Sequence, residues 1–183
     1  MKRIAIIILL ILTAQDLFAQ RIRGDYFNRP QVGLWFGPAA PLFEVADEVD
    51  SALAGGAYAK VSTFYNPVKI GLDLSYQHHL SASLTSIKMV PIYSTLQYRL
   101  PFNTPINFVV KGGGGATRIW FEPDMVSQWD LTFVGGFEVS FPLGRWINVG
   151  MRTDYLMLYE KHLEGSDLNG HFFNVGLSLF FNL

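Results

Sequence analysis

From about Val32 to Leu183, apolar side chains take every second position, and polar residues or glycine fill the gaps. The clearest run is 68–77. Val68, Ile70, Leu72, Leu74 and Tyr76 share one face, and Lys69, Gly71, Asp73, Ser75 and Gln77 share the other. Period two is the signature of a strand, because successive side chains of a strand point to opposite faces. A face that collects the charges is either wet or internally paired. The pattern predicts eight strands, at about 31–37, 55–66, 68–80, 87–100, 106–119, 128–141, 146–159 and 171–183.

The connections alternate in length. Asn66-Pro67, Pro101–Pro105 and Pro142–Arg145 are tight and rich in Pro, Asn and Gly, whereas 38–54, 81–86, 120–127 and 160–170 are mostly longer. Charges avoid the apolar face. In the sixth segment Trp129, Leu131, Phe133, Phe137, Val139 and Phe141 oppose Gln128, Asp130, Thr132, Glu138 and Ser140. In the seventh, Ile147, Val149, Met151, Tyr155 and Met157 oppose Asn148, Arg152 and Asp154. In the eighth, Phe173, Val175, Leu177, Leu179, Phe181 and Leu183 oppose Asn174, Ser178 and Asn182.

Periodicity alone does not say which face is inside. A water-soluble barrel of the lipocalin kind would turn its apolar face inward. Three features favour a membrane instead. The apolar face is rich in large aromatics and nearly free of polar exceptions, the polar face is rich in glycine and small residues that suit a narrow interior, and the chain ends on an apolar strand. A Lys or Arg facing lipid at mid-bilayer would cost roughly 2–4 kcal/mol. The expected fold is therefore all-β, an eight-stranded antiparallel up-and-down transmembrane β-barrel. Short turns on one rim and longer loops on the other fit that class, with the short turns toward the periplasm.

Residues 1–19 read as a signal peptide. Lys2 and Arg3 give the positive start, Ile4 to Leu12 the apolar run, and Ala19 the residue before cleavage. The run falls short of the ~20 residues a spanning helix needs. Residues 20–30 form a short lead-in, and 31–183 the barrel domain. The chain has no cysteine, which excludes disulfides and lipid attachment through cysteine. With a net charge of −1 and no basic tract, nucleic acid is not an expected partner.

The signal, the eight alternating segments and the closing strand His171–Leu183 resemble the small OmpA/OmpX-type outer-membrane β-barrels. The resemblance covers the whole mature chain. It implies a bacterial outer-membrane location, with outer-membrane lipid as the surroundings. It also implies contact with the outer-membrane assembly machinery through the last strand. In that family the last strand usually ends in Phe or Trp, whereas this chain ends in Leu183 after Phe180 and Phe181. The resemblance is architectural and names no activity or extracellular ligand.

An eight-stranded barrel is just wide enough for side chains to fill. The charged residues expected inside are Lys60, Lys69, Asp73, Arg99, Lys111, Arg118, Asp130, Glu138, Arg152 and Asp154. Lys111, Asp130, Glu138, Arg152 and Asp154 are expected to form a paired polar network, since charges of one sign alone would be prohibitive to bury. The glycines at 112–115, 135 and 136 are expected first to serve tight curvature and room for large inward side chains such as Trp35 or Tyr93, with a lateral groove on the outer wall at Gly112, Gly114 and Gly135 as the functional alternative. In the first long loop Leu42, Phe43, Val45, Ala46, Val49 and Leu53 suit one face of a short helix resting on the mouth, a lid or an adhesive patch. His78, His79, His162 and His171 fall near the expected outer rim, with Ser81, Ser83 and Glu164 as possible companions for catalysis or metal binding. Interfacial polar roles explain these histidines more simply, so no catalytic, cofactor or metal site is assigned. The expected function is non-enzymatic, in surface structure or interaction through the outer loops. The alternatives are a narrow channel for small or hydrophobic solutes and, less favoured, a lipid-modifying enzyme.

Overall fold

The computed structural model describes residues 29–65, 67–80, 86–102, 104–122, 126–159 and 169–183. The proposed signal peptide and most of the lead-in lie outside these residues. The alternation folds into eight strands: β1 (Gln31–Pro41), β2 (Ala52–Ser62), β3 (Val68–Leu80), β4 (Ser86–Arg99), β5 (Asn107–Glu122), β6 (Val126–Pro142), β7 (Ile147–Tyr159) and β8 (Gly170–Asn182). One short helix, α1 (Val45–Glu48), lies between β1 and β2. Each strand pairs antiparallel with its sequence neighbours, and β1 closes on β8 with Val32 opposite Phe181 and Leu34 opposite Leu179. The result is the closed up-and-down barrel that the periodicity predicts. Closure leaves no unpaired edge, which is what lets a sheet cross a bilayer.

The two faces divide as expected for a membrane. Leu34, Phe36, Leu72, Leu74, Leu131, Phe133 and Leu177 are exposed on the outer wall. Lys60, Lys69, Asp73, Lys111, Glu138, Arg152 and Asp154 are buried inside. Aromatic residues mark both edges of the apolar band, as interfacial belts do. Trp146 stands at the short-turn rim with Arg29 and Arg145 over its ring, and Trp120 and Trp129 stand at the long-loop rim.

Some boundaries move. β1 runs on to Pro41 and β5 to Glu122, because the alternation persists through Ala39 and Trp120. The connection between β5 and β6 shrinks to 123–125, so the difference in loop length rests mainly on the first and fourth loops. Pro38 and Pro91 sit inside strands. Proline donates no backbone hydrogen bond. The β1–β8 ladder is open between Phe36↔Leu177 and Ala39↔Asn174, and the β3–β4 ladder between Leu74↔Ile92 and Gln77↔Met89.

The interior is not polar throughout. Toward the long loops Met89, Tyr93, Ile119, Val134, Leu156, Leu158 and Phe172 form a buried apolar cluster, and Val45, Ile87 and Phe121 pack against it. Val45 belongs to the first loop, so that loop folds into the mouth.

Candidate functional site

Below the apolar cluster, six ionised side chains meet inside the barrel. Arg152 on β7 is the hub. Its Nη2 donates to Asp73 Oδ1 at 2.7 Å and to Asp154 Oδ2 at 2.6 Å, and its Nε donates to the same Asp154 oxygen at 2.9 Å. Lys111 Nζ reaches Asp154 Oδ1 at 2.6 Å. Lys60 Nζ donates to both oxygens of Glu138, at 2.9 and 2.8 Å. Three cations thus face three anions, so the cluster carries no net charge. Aromatic rings complete it. The Arg152 guanidinium lies 5.1 Å from the Trp35 ring and 5.2 Å from the Tyr58 ring, and Lys60 Nζ lies 4.6 Å from the Tyr58 ring.

The strands place these groups by register. Glu138 and Arg152 are directly opposed across β6 and β7, and Tyr58 and Asp73 across β2 and β3. Gly136 opposes both Lys111 and Asp154. A side chain there would collide with Asp154 Oδ1 and the Lys111 stem, so the glycine opens the space in which that pair forms. Gly56 and Gly176 do the same for Trp35, whose ring atoms lie 2.6 and 2.7 Å from where their Cβ atoms would be. Among the described residues Asp73 Oδ2, Arg152 Nη1, Trp35 Nε1 and the Asn174 amide have no hydrogen-bond partner.

Of the expected network, Lys111, Glu138, Arg152 and Asp154 come together. Asp130 is buried but sits apart, accepting from Gln128 Nε2 at 2.9 Å on its own strand. Lys60 and Asp73, which parity alone marks only as inward, join in its stead. Lys69 is buried nearer the short turns and donates to the Arg29 carbonyl at 3.0 Å. Arg99 is half-buried at that end. Arg118 contradicts expectation, because it is exposed on the outer wall. It stands seven positions from Lys111, and an odd spacing in a strand reverses the face.

The outer wall is bare at the glycines. Gly112 pairs with Gly135, and Gly114 with Phe133 on one side and Ser94 on the other. Nothing lies within 4 Å of a Cβ built at Gly135. Gly113 and Gly115 face inward, where a Cβ would strike the β4 backbone, and Gly115 is registered against Tyr93. Curvature and room for Tyr93 therefore account for the inward pair, while Trp35 relies on other glycines.

The rim histidines separate. His79 is buried under the first loop, its ring 2.9 Å from the Asp50 carbonyl and 3.2 Å from Gln77 Oε1. His78 is exposed on the outer face. His171 meets the Tyr155 hydroxyl at 2.7 Å, with the Phe43 ring edge-on to it. Phe43 adopts a positive φ of 58°. His162, Ser81, Ser83 and Glu164 lie outside the described residues. Among the described residues no cluster of three His, Cys, Asp or Glu is placed to hold a metal. The first loop buries Val49, packs Val45 against the apolar cluster and leaves Phe43 exposed, so the helix face anticipated over 42–53 is split.

A family model described as outer membrane protein beta-barrel domain matches residues 5–181. Three solved structures share the architecture. Neisserial surface protein A superposes with a TM-score of 0.68 at 10% identity, covering 84% of this chain and 97% of that one. The N-terminal β-barrel domain of OprF from Pseudomonas aeruginosa gives 0.56 at 15%, covering 85% and 98%. Ail, the attachment invasion locus protein of Yersinia pestis, gives 0.55 at 10%, covering 84% and 99%. At such identities the likeness shows the fold alone. No curated protein matches the sequence.

Proposed function

This chain belongs to the outer membrane protein β-barrel domain family, and on that footing we propose that it is a non-enzymatic barrel, closed to ions along its axis, that serves surface structure or interaction through its long-loop rim. Its place is the bacterial outer membrane. One observation carries the closed axis. The Arg152 cluster spans the lumen from β2 to β7, and an apolar layer covers it toward the long loops. An ion on that path would have to break buried pairs and then pass the layer that Met89, Tyr93, Leu156, Leu158 and Phe172 fill, and each step is costly. In planar bilayers the purified protein is expected to leave the baseline free of steps. Reproducible conductance steps from the wild-type protein would overturn the closed axis.

Lipid-modifying chemistry ranks last. It calls for an imidazole within reach of a serine hydroxyl or a carboxylate at the rim, whereas among the described residues His171 meets the Tyr155 phenol and His79 meets a backbone carbonyl and the Gln77 amide. Passage or seating of an acyl chain on the wall at Gly112, Gly114 and Gly135 draws support from the open surface over Gly112 and Gly135, which Gly114 adjoins. If that surface seats lipid, the double substitution Gly114→Leu, Gly135→Leu removes cross-linking to a photoreactive fatty acid. Unchanged labelling would contradict a lateral groove. The closing strand β8 is proposed to be the segment that engages the assembly machinery.

A further inference from the structure

Arg118 stands where the apolar band of the outer wall ends. Along β5 the outward positions below it are Phe108, Val110, Gly112, Gly114 and Ala116, and those above it are Trp120 and Glu122. Its register partners are Val90 on β4 and Trp129 on β6. The guanidinium carbon lies 4.8 Å from the Trp120 ring and 5.8 Å from the Trp129 ring. Among the described residues no carboxylate is paired with it. The nearby cation Lys88 is already occupied, because it pairs with Glu122, which also accepts from Ser86 Oγ at 2.9 Å.

Ring contact uses the flat face of a guanidinium and leaves its N–H donors in the plane, where they match a phosphate or carboxylate in forked geometry. At hydrocarbon depth a cation would be expelled, so an arginine between two tryptophans marks the headgroup layer. The ligands most abundant in that layer with paired anionic oxygens are lipid phosphates. We propose that Arg118, held between Trp120 and Trp129, binds the phosphate of a lipid headgroup at the long-loop rim, so that the barrel wall carries a lipid site distinct from its loops and lumen. The site does not depend on whether the axis conducts.

The test is lipid retention by the detergent-purified barrel, counted by native mass spectrometry with phosphatidic acid and with diacylglycerol of the same acyl chains. The wild type is expected to retain phosphatidic acid well above diacylglycerol. Arg118→Gln is expected to weaken phosphatidic acid about tenfold, the scale of one charge-assisted hydrogen-bonding group. Arg118→Lys, which keeps the charge without the fork, is expected to fall between and to retain the heat-modifiable gel migration of the folded barrel. Equal affinity in wild type and both variants, or equal retention of diacylglycerol and phosphatidic acid, overturns the site. Excess inorganic phosphate is expected to leave the lipid bound, and displacement by it overturns a lipid as the source of the phosphate.

Discussion

Two adjacent glycines on β6 carry opposite loads. Gly135 faces outward with open space above it, and Gly136 faces a lumen already filled by Asp154 and Lys111. Gly135→Ala should therefore change stability by less than about 0.5 kcal/mol. Gly136→Ala should cost about 1–3 kcal/mol, because the new methyl displaces a buried ion pair. Urea unfolding in phospholipid vesicles, followed by tryptophan fluorescence, would measure both. Equal effects would contradict the assigned facing. The same assay separates the charges. Arg152→Met leaves Asp73 and Asp154 without their shared cation and should cost about 3–5 kcal/mol. Asp130→Asn keeps an acceptor for Gln128 and should cost less than about 1 kcal/mol. A large loss at Asp130 would place it in the central network after all.

At the scale of elements, the strands were legible because period two held over long stretches with turn residues between them. What the pattern hid was contact across the barrel. Lys60 and Glu138 lie 78 positions apart, and Arg152 and Asp73 lie 79 apart. No local spacing announces such pairs. The apolar layer did leave a trace, since Tyr155–Leu158 and Phe172-Phe173 are continuous apolar runs, which suit a strand with both faces covered. Arg118 is legible too, since its odd spacing from the inward Lys111 along β5 puts it on the outer face. The first loop was half legible. Its spacing suggested a helix, but only the folded mouth shows that Val45 packs on the apolar cluster and that Val49 is buried, while hydrogen bonds from Asp50 N to the Leu80 carbonyl and from Leu42 N to the His171 carbonyl pin its ends. Val49→Asp should loosen the loop, because a carboxylate at this buried position must be desolvated. Limited proteolysis is expected to cut within 42–51 several-fold faster while the barrel keeps its folded gel migration. An unchanged cleavage rate would mean that Val49 does not hold the loop.

For the whole molecule, the decisive property is which way each face looks. The wall is apolar with aromatic edges, and the ionised groups cancel inside, so the barrel satisfies both hydrocarbon outside and charge inside, and among the described residues no helix is long and apolar enough to cross the bilayer. The family places such a barrel in the outer membrane. Because the chain contains no cysteine, single cysteines can be introduced one at a time and spin-labelled without background. The most direct measurement is oxygen accessibility of labels along 129–134 of β6 in reconstituted vesicles. Labels at Trp129, Leu131 and Phe133 are predicted to collide with lipid-dissolved oxygen, and labels at Asp130, Thr132 and Val134 to be protected. The reverse alternation, or no alternation at all, would contradict a wall that faces lipid around a sealed, charge-paired interior.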